Sequence, residues 1–253
     1  MIWLASYPRS GNTFFRIVLH EVYGVESGAF RLDAAPDAGY LRYQVVKTHL
    51  PPGELKPADP SIPAVYIVRD GRDALVSMAR QRSEIIAPGS DYMTNLETAI
   101  RARDDTFFGG WSRNVTEWLE RADVVVRFED LIRDPIGEVE RIRPLINLPA
   151  PERSRLPSFD DLKKRDYPLN EKQRARNGKV PSRREKFFRR GEPGAWRDEM
   201  PIKMQALFRR LHGETLSELG YDDDTWQARL AAPWFAAVDR ARAVVKRAMN
   251  RRP

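Results

Sequence analysis

Three short stretches of this chain gather residues suited to holding anions and moving a proton. The first is Ser6-Tyr7-Pro8-Arg9-Ser10-Gly11-Asn12-Thr13-Phe14-Phe15-Arg16, which follows the apolar run Ile2-Trp3-Leu4-Ala5. It leads into residues of helical spacing: Phe14, Phe15, Val18, Leu19 and Val22. The pattern is a strand, a tight basic turn and a helix. The first N–H groups of a helix lack intrahelical partners and its N-terminus carries partial positive charge, so such a turn is built for an anion such as a phosphate. The nucleoside-triphosphate spelling G-x-x-x-x-G-K-[ST] is missing, since no glycine stands upstream and no Gly-Lys pair follows. The second stretch, Val45-Val46-Lys47-Thr48-His49-Leu50-Pro51, is a strand ending in a lysine and a histidine. The third, Tyr66-Ile67-Val68-Arg69-Asp70-Gly71-Arg72-Asp73-Ala74-Leu75-Val76-Ser77, is a strand, a polar turn and the opening of a helix.

The elements that must position these stretches follow from hydrophobic pattern. Apolar runs bounded by turn residues occur at 2–6, 43–48, 64–68 and 123–128. Continuous runs of this length suit strands of a parallel sheet buried on both faces. Helical patterns lie between them, over about 13–23, 72–83, 94–103, 107–120 and 134–146. The alternation predicts an α/β fold, a parallel sheet with helices on both sides. Ligands of such sheets bind beyond the carboxyl ends of the strands, where the three stretches lie. Residues 149–195 read as a long basic segment broken by Pro149, Pro151, Pro157, Pro168 and Pro181. A loop of that length is a lid or binding element, or over 170–185 a disordered insertion. The whole of 1–253 reads as one domain with no internal repeat.

Composition narrows the classes. The chain has 253 residues, 42% of them hydrophobic, which suits one globular core, and no apolar run approaches a membrane span. The formal net charge of +7 calls for an anionic partner. Nucleic acid is the default for a basic chain, but here most of the identified basic residues fall inside proposed phosphate loops. The absence of cysteine excludes disulfides, thiolate metal sites and cysteine nucleophiles. The histidines are His20, His49 and His212, with no carboxylate grouping that suggests a metal; His20 and His212 read as structural. A first strand at residue 2 leaves no room for a signal peptide ahead of it, which predicts a cytoplasmic protein. Asn114-Val115-Thr116 spells a glycosylation sequon, read here as coincidence. Near the end, Trp234, Val238, Ala241, Val245 and Ala248 mark a basic amphipathic helix over about 233–252. It suits docking on the core or on a sister subunit, or peripheral contact with an anionic membrane.

Together with Gly110-Trp111-Ser112-Arg113-Asn114-Val115-Thr116-Glu117-Trp118, Arg127-Phe128-Glu129-Asp130-Leu131 and Arg189-Arg190-Gly191-Glu192-Pro193-Gly194-Ala195-Trp196, these stretches resemble sulfotransferases that use 3′-phosphoadenosine 5′-phosphosulfate (PAPS). The blocks stand in family order over roughly residues 1–200. The resemblance implies a P-loop-like parallel sheet and binding of PAPS, with 3′-phosphoadenosine 5′-phosphate (PAP) as product and no metal. It implies that Arg9 contacts the 5′-phosphate and the bridging oxygen, where the family usually has lysine. Arginine holds its proton tightly, so Arg9 reads as an electrostatic clamp. Ser10, Gly11, Asn12 and Thr13 would cradle the 5′-phosphate, Asn12 standing for a common threonine. Phe14 takes the place of the family's adenine-stacking tryptophan, or is a core aromatic of the first helix. Arg69 and Ser77 match the pair holding the 3′-phosphate, and Arg189, Arg190 and Gly191 match the late segment closing over it. Phe128 stands where many relatives place a tyrosine near the adenine.

By the same resemblance His49 is the general base and Lys47 adds positive charge at the transferred group. An unperturbed histidine titrates near neutrality, so the rate is expected to rise there. Tyr92, Met93, Phe107 and Phe108 are candidate acceptor walls, with core packing the first reading of the two phenylalanines. The expected activity is transfer of a sulfuryl group to a hydroxyl of a small molecule. Sulfation of a carbohydrate or lipid-linked hydroxyl and a nucleotide kinase are the alternatives; the missing Gly-Lys-Ser/Thr and the Lys47–His49 segment count against the kinase. A nucleic-acid-binding protein would instead interleave exposed aromatics with a basic surface.

Overall fold

The computed structural model describes residues 1–30, 39–103, 106–170 and 191–223. Its centre is a parallel five-stranded sheet: β1 (Ile2–Ser6), β2 (Ser27–Ala29), β3 (Val45–Thr48), β4 (Ala64–Val68) and β5 (Val124–Arg127), in the order β2-β3-β1-β4-β5. Every residue of β1 and β4 is buried, as a central parallel strand covered on both faces requires. Alternate residues of these strands serve two cores. Trp3, Ala5, Val46, Tyr66 and Val68 face one side, where α2 (Gly71–Gln81), α3 (Tyr92–Ile100) and α4 (Trp111–Arg121) pack. Ile2, Leu4, Val45, Val65 and Ile67 face the other, against α1 (Asn12–Tyr23) and the residues that follow β5.

β2 was not foreseen. It is three residues of Ser, Gly and Ala, too short for a period and lacking β-branched side chains. Its pairing is fixed from outside: Arg16 donates to the Ser27 hydroxyl and carbonyl, and Asn170 donates to the same carbonyl. Elsewhere the expected elements are found with shifted ends. The pattern at 134–146 shortens to α6 (Pro135–Glu140), preceded by an unexpected α5 (Phe128–Arg133), and α2 runs on into a π-helical turn at Arg82–Ile86.

The segment read as one long loop has structure in its first part. Ser158 and Asp161 form a reciprocal cap on α7 (Phe159–Lys164), and Leu162, Tyr167 and Leu169 bury themselves against Ile17 of α1. Later, α8 (Trp196–Glu199) leads to α9 (Ile202–Glu218), which closes one face of the sheet through Leu207 and Phe208. Gly71 permits this closure, because a Cβ there would meet Trp111 at 2.4 Å and Phe208 at 2.7 Å. No helix among the described residues is long and apolar enough to cross a membrane. The basic helix expected at 233–252 lies outside the described residues.

Candidate active site

The chain leaves β1 to one side for β2 and β3 and to the other for β4 and β5, so the crevice of the sheet opens above β1. The three chemical stretches are the carboxyl-end extensions of β3, β1 and β4, adjacent strands in register. Residues 40 and 60 positions apart in sequence therefore meet.

The turn after β1 is shaped for an anion. Arg9 and Gly11 both take positive φ, 69° and 97°, which turns successive N–H groups inward. Gly11 is the N-cap of α1, with no side-chain cap and no acidic residue in the first turn. The first N–H groups of that helix are thus unclaimed by side chains. The Ser10 hydroxyl and the Asn12 amide oxygen are buried with no hydrogen-bond partner among the described residues, as is Nε of Arg69. Buried polar atoms are seldom left unmade, and here three surround one turn. Asn12 spends its amide on Leu4 O and the Ser6 hydroxyl, bracing the loop against its own strand. By contrast α2 is capped internally, Asp70 accepting from the Arg72 N–H.

Arg9 and Arg69 flank this turn. Arg9 Nε donates to the Ser77 hydroxyl at 3.0 Å, and Arg69 donates to the Arg9 carbonyl at 3.0 Å. Ser77, expected beside Arg69, is thus joined to Arg9. Burial, and then the charge of Arg69, push the Arg9 pKa down to about 9, an instability that a phosphate would relieve. At about 9 the group is still charged at pH 7, as an electrostatic clamp requires. Phe128 lies flat under Arg69, 4.1 Å from guanidinium carbon to ring centre, and fills the space where a Gly11 Cβ would be. Phe14 is half-buried among Ile17, Leu162 and Leu169, the core position allowed for it.

His49 is fixed by β1. Its Nδ1 lies 2.7 Å from the Ser6 carbonyl, which can only accept, so Nδ1 carries the proton and Nε2 holds a lone pair. Among the described residues nothing bonds Nε2. Burial holds the ring well below its ordinary value, and Lys47, Arg16 and Arg9 add to this against the opposing carbonyl bond. The ring is therefore neutral at pH 7, and the titration expected near neutrality moves to lower pH. Lys47, two residues earlier on β3, is near enough to act on the ring electrostatically.

Gly191 takes φ 68° against the Phe159 ring. Arg189 and Arg190 lie outside the described residues. The segment after them is held by a residue the sequence reading passed over. Asp73, buried, accepts from the N–H of Gly194 at 2.7 Å and of Trp196 at 2.9 Å, and stands 3.6 Å from Arg69. The guanidiniums of Arg72 and Arg197 both lie over the Trp196 ring. The signal for Asp73 was its place as the acidic residue in the first turn of α2, four residues after Arg69. His20 pairs with Glu21, and His212 lies between the Ser112 hydroxyl and the Ile100 carbonyl. No metal-binding group of side chains occurs among the described residues.

Residues 25–220 match the family model described as the sulfotransferase domain. The chain belongs to the sulfotransferase family. The match begins after the first loop and helix, so the loop of this sulfotransferase is supported separately, by its geometry. A curated relative, cytosolic sulfotransferase 13 of Arabidopsis thaliana, is 25% identical over 237 residues, covering 79% of this chain and 71% of the relative. Among solved structures, mouse sulfotransferase SULT7A1 complexed with PAP superposes with a TM-score of 0.66 at 20% identity, covering 85% of this chain and 84% of that one. Retinol dehydratase in complex with retinol and PAP gives 0.60 at 20% identity, over 85% and 80%. This sulfotransferase thus shares its fold with proteins crystallised around PAP.

Proposed function

We propose that this sulfotransferase takes its sulfuryl group from PAPS and places it on a hydroxyl of a small molecule, with His49 as general base. The observation that carries the reading is the pairing of an anion-shaped turn with a neutral, tautomer-fixed histidine on adjacent strand ends. Ser10, Gly11, Asn12, Thr13 and Arg9 would hold the 5′ end of the donor, Arg69 with Arg9-bound Ser77 the 3′-phosphate, and Phe14 or Phe128 the adenine. The orphaned polar atoms at Ser10, Asn12 and Arg69 fit such a group. Bound, PAPS supplies an activated sulfuryl group on a phosphate leaving group. His49 takes the acceptor's hydroxyl proton at Nε2 as that oxygen becomes the nucleophile, and Lys47 and Arg9 offset negative charge developing nearby. Gly191, with Arg189 and Arg190 before it, would close over the nucleotide, anchored through Asp73.

The acceptor is read as a small hydroxylated molecule, in keeping with solved neighbours that hold retinol or androsterone beside PAP. A sugar or lipid-linked hydroxyl is the second choice of acceptor. The work is read as cytoplasmic, with the basic C-terminal helix docking on protein in preference to membrane. Calorimetric titration with PAP, ATP and duplex DNA tests the nucleotide assignment. PAP should bind tightly, ATP weakly, and DNA only with a steep salt dependence; equal binding of ATP and PAP would overturn it.

A further inference from the structure

Beside His49 the backbone is strained in a way the chemistry above does not use. Phe107 and Phe108 take φ of 46° and 60°, the left-handed region that bulky residues avoid, and Gly109 and Gly110 continue it at 85° and 77°. The turn brings the Phe108 ring edge-on to the His49 ring, 5.6 Å between centres. Strain of this kind persists only where neighbours over-determine it. Here the neighbour is Asn114, one turn into α4 and fully buried. Its amide nitrogen donates to the His49 carbonyl and to the Phe108 carbonyl, 3.1 Å each. Its oxygen accepts from the Tyr66 hydroxyl at 3.0 Å, and Tyr66 is stacked on Trp118. Two carbonyls can only accept, so the orientation of the amide is forced, and all three bonds are made at once. The same burial removes the sequon reading, because a side chain with no exposed surface cannot carry a glycan.

We propose that Asn114 is a positioning residue that sets the histidine base and the aromatic edge beside it as one unit, so that an acceptor lying against Phe108 presents its hydroxyl to His49 Nε2. The inference rests on His49 being the base. The Ser6 carbonyl fixes the ring from one side and Asn114 fixes its backbone from the other. The three bonds of Asn114 go to His49, Phe108 and Tyr66 and none to the turn after β1, so losing it should disturb proton removal and leave the nucleotide turn untouched.

Two variants test this. Asn114→Leu keeps the volume and removes all three bonds; Tyr66→Phe removes only the hydroxyl that holds the amide and keeps the stacked ring. With labelled PAPS, turnover of an alkyl alcohol should fall about 100-fold in Asn114→Leu, the scale of a base misplaced by about 1 Å. Turnover of 4-nitrophenol, which loses its proton readily, should fall less than about fivefold, with PAP affinity unchanged. Tyr66→Phe should show the same inequality at about a tenth of the size. In the nucleotide-free protein, 15N NMR should show the Nδ1–H tautomer of His49 in the wild type and a tautomer mixture in the variants. Equal losses on both acceptors, or a single unchanged tautomer, would overturn the proposal; Tyr66→Phe alone decides it if Asn114→Leu does not fold. A wild type that binds no PAP would instead refute the functional reading, and the NMR result would still judge Asn114.

Discussion

Replacing Gly11 by alanine tests the nucleotide turn at its tightest point. Two costs follow from the structure. The residue sits at φ 97°, where an L-residue costs about 1–2 kcal/mol. The new Cβ would also lie 2.6 Å from Cδ2 of Phe128, about 1 Å inside contact distance, in a buried site. Overpacking of this kind costs about 1–3 kcal/mol, so stability should fall by about 2–5 kcal/mol in all. Phe128 cannot yield freely because Arg69 lies over its ring. Displacing that guanidinium should remove a charge-assisted contact of about 1.5–3 kcal/mol from nucleotide binding, a loss of roughly 10- to 150-fold in PAP affinity. Denaturant unfolding and calorimetry with PAP read the two quantities separately. In a Phe128→Leu background only the backbone part should remain, so the double-mutant cycle should show coupling of about 1–3 kcal/mol, the overpacking part. Wild-type PAP affinity in folded Gly11→Ala would refute the turn as the phosphate site.

Three further perturbations probe the surroundings. Arg69→Ala should weaken PAP by about 2–4 kcal/mol and leave adenosine 5′-phosphate nearly unchanged, as measured by competitive titration; equal weakening of both would move the 3′-phosphate elsewhere. Asp73→Asn turns one of its two backbone-accepting oxygens into a donor, and should cost about 2–4 kcal/mol in urea unfolding and loosen PAP binding by releasing Gly194 and Trp196. His49 and His212 both have pKa values held below 6.5 by burial, so the unfolded chain takes up protons there that the folded chain refuses. Stability should therefore be flat in these groups above about pH 6.5 and fall below it, by up to about 1.4 kcal/mol per pH unit for each, and a His49→Gln, His212→Gln protein should lose that slope.

The sheet was legible because β1, β3 and β4 are built on apolar runs bounded by turn residues, a pattern that suits two-sided burial. β2 was not, since three small residues carry no period and owe their place to Arg16 and Asn170. Within the site, Arg9, Lys47, His49 and Arg69 could be named because the stretches that carry them resemble the family's blocks in the family's order, at or just beyond strand ends. Partnership could not. That Ser77 joins Arg9, that the Ser6 carbonyl sets the His49 tautomer, and that Asn114 ties His49 to Phe108 depend on contacts 43 to 68 residues apart, which no local spacing encodes. The downward shifts at Arg9 and His49 likewise arise from burial and from cations brought together only by the fold.

The central claim is that His49 removes the acceptor proton in a sulfuryl transfer from PAPS, and single-turnover transfer of labelled sulfate by wild type and His49→Ala tests it most directly. The mutant should turn over an alcohol acceptor slower by about two to four orders of magnitude, with PAP affinity within about twofold of wild type. The wild-type rate should be flat from about pH 6.5 to 8, its ascending limb lying lower because the ring is held neutral, and the mutant should lack that limb. A folded His49→Ala that transfers sulfate to the alcohol at near the wild-type rate would contradict the account.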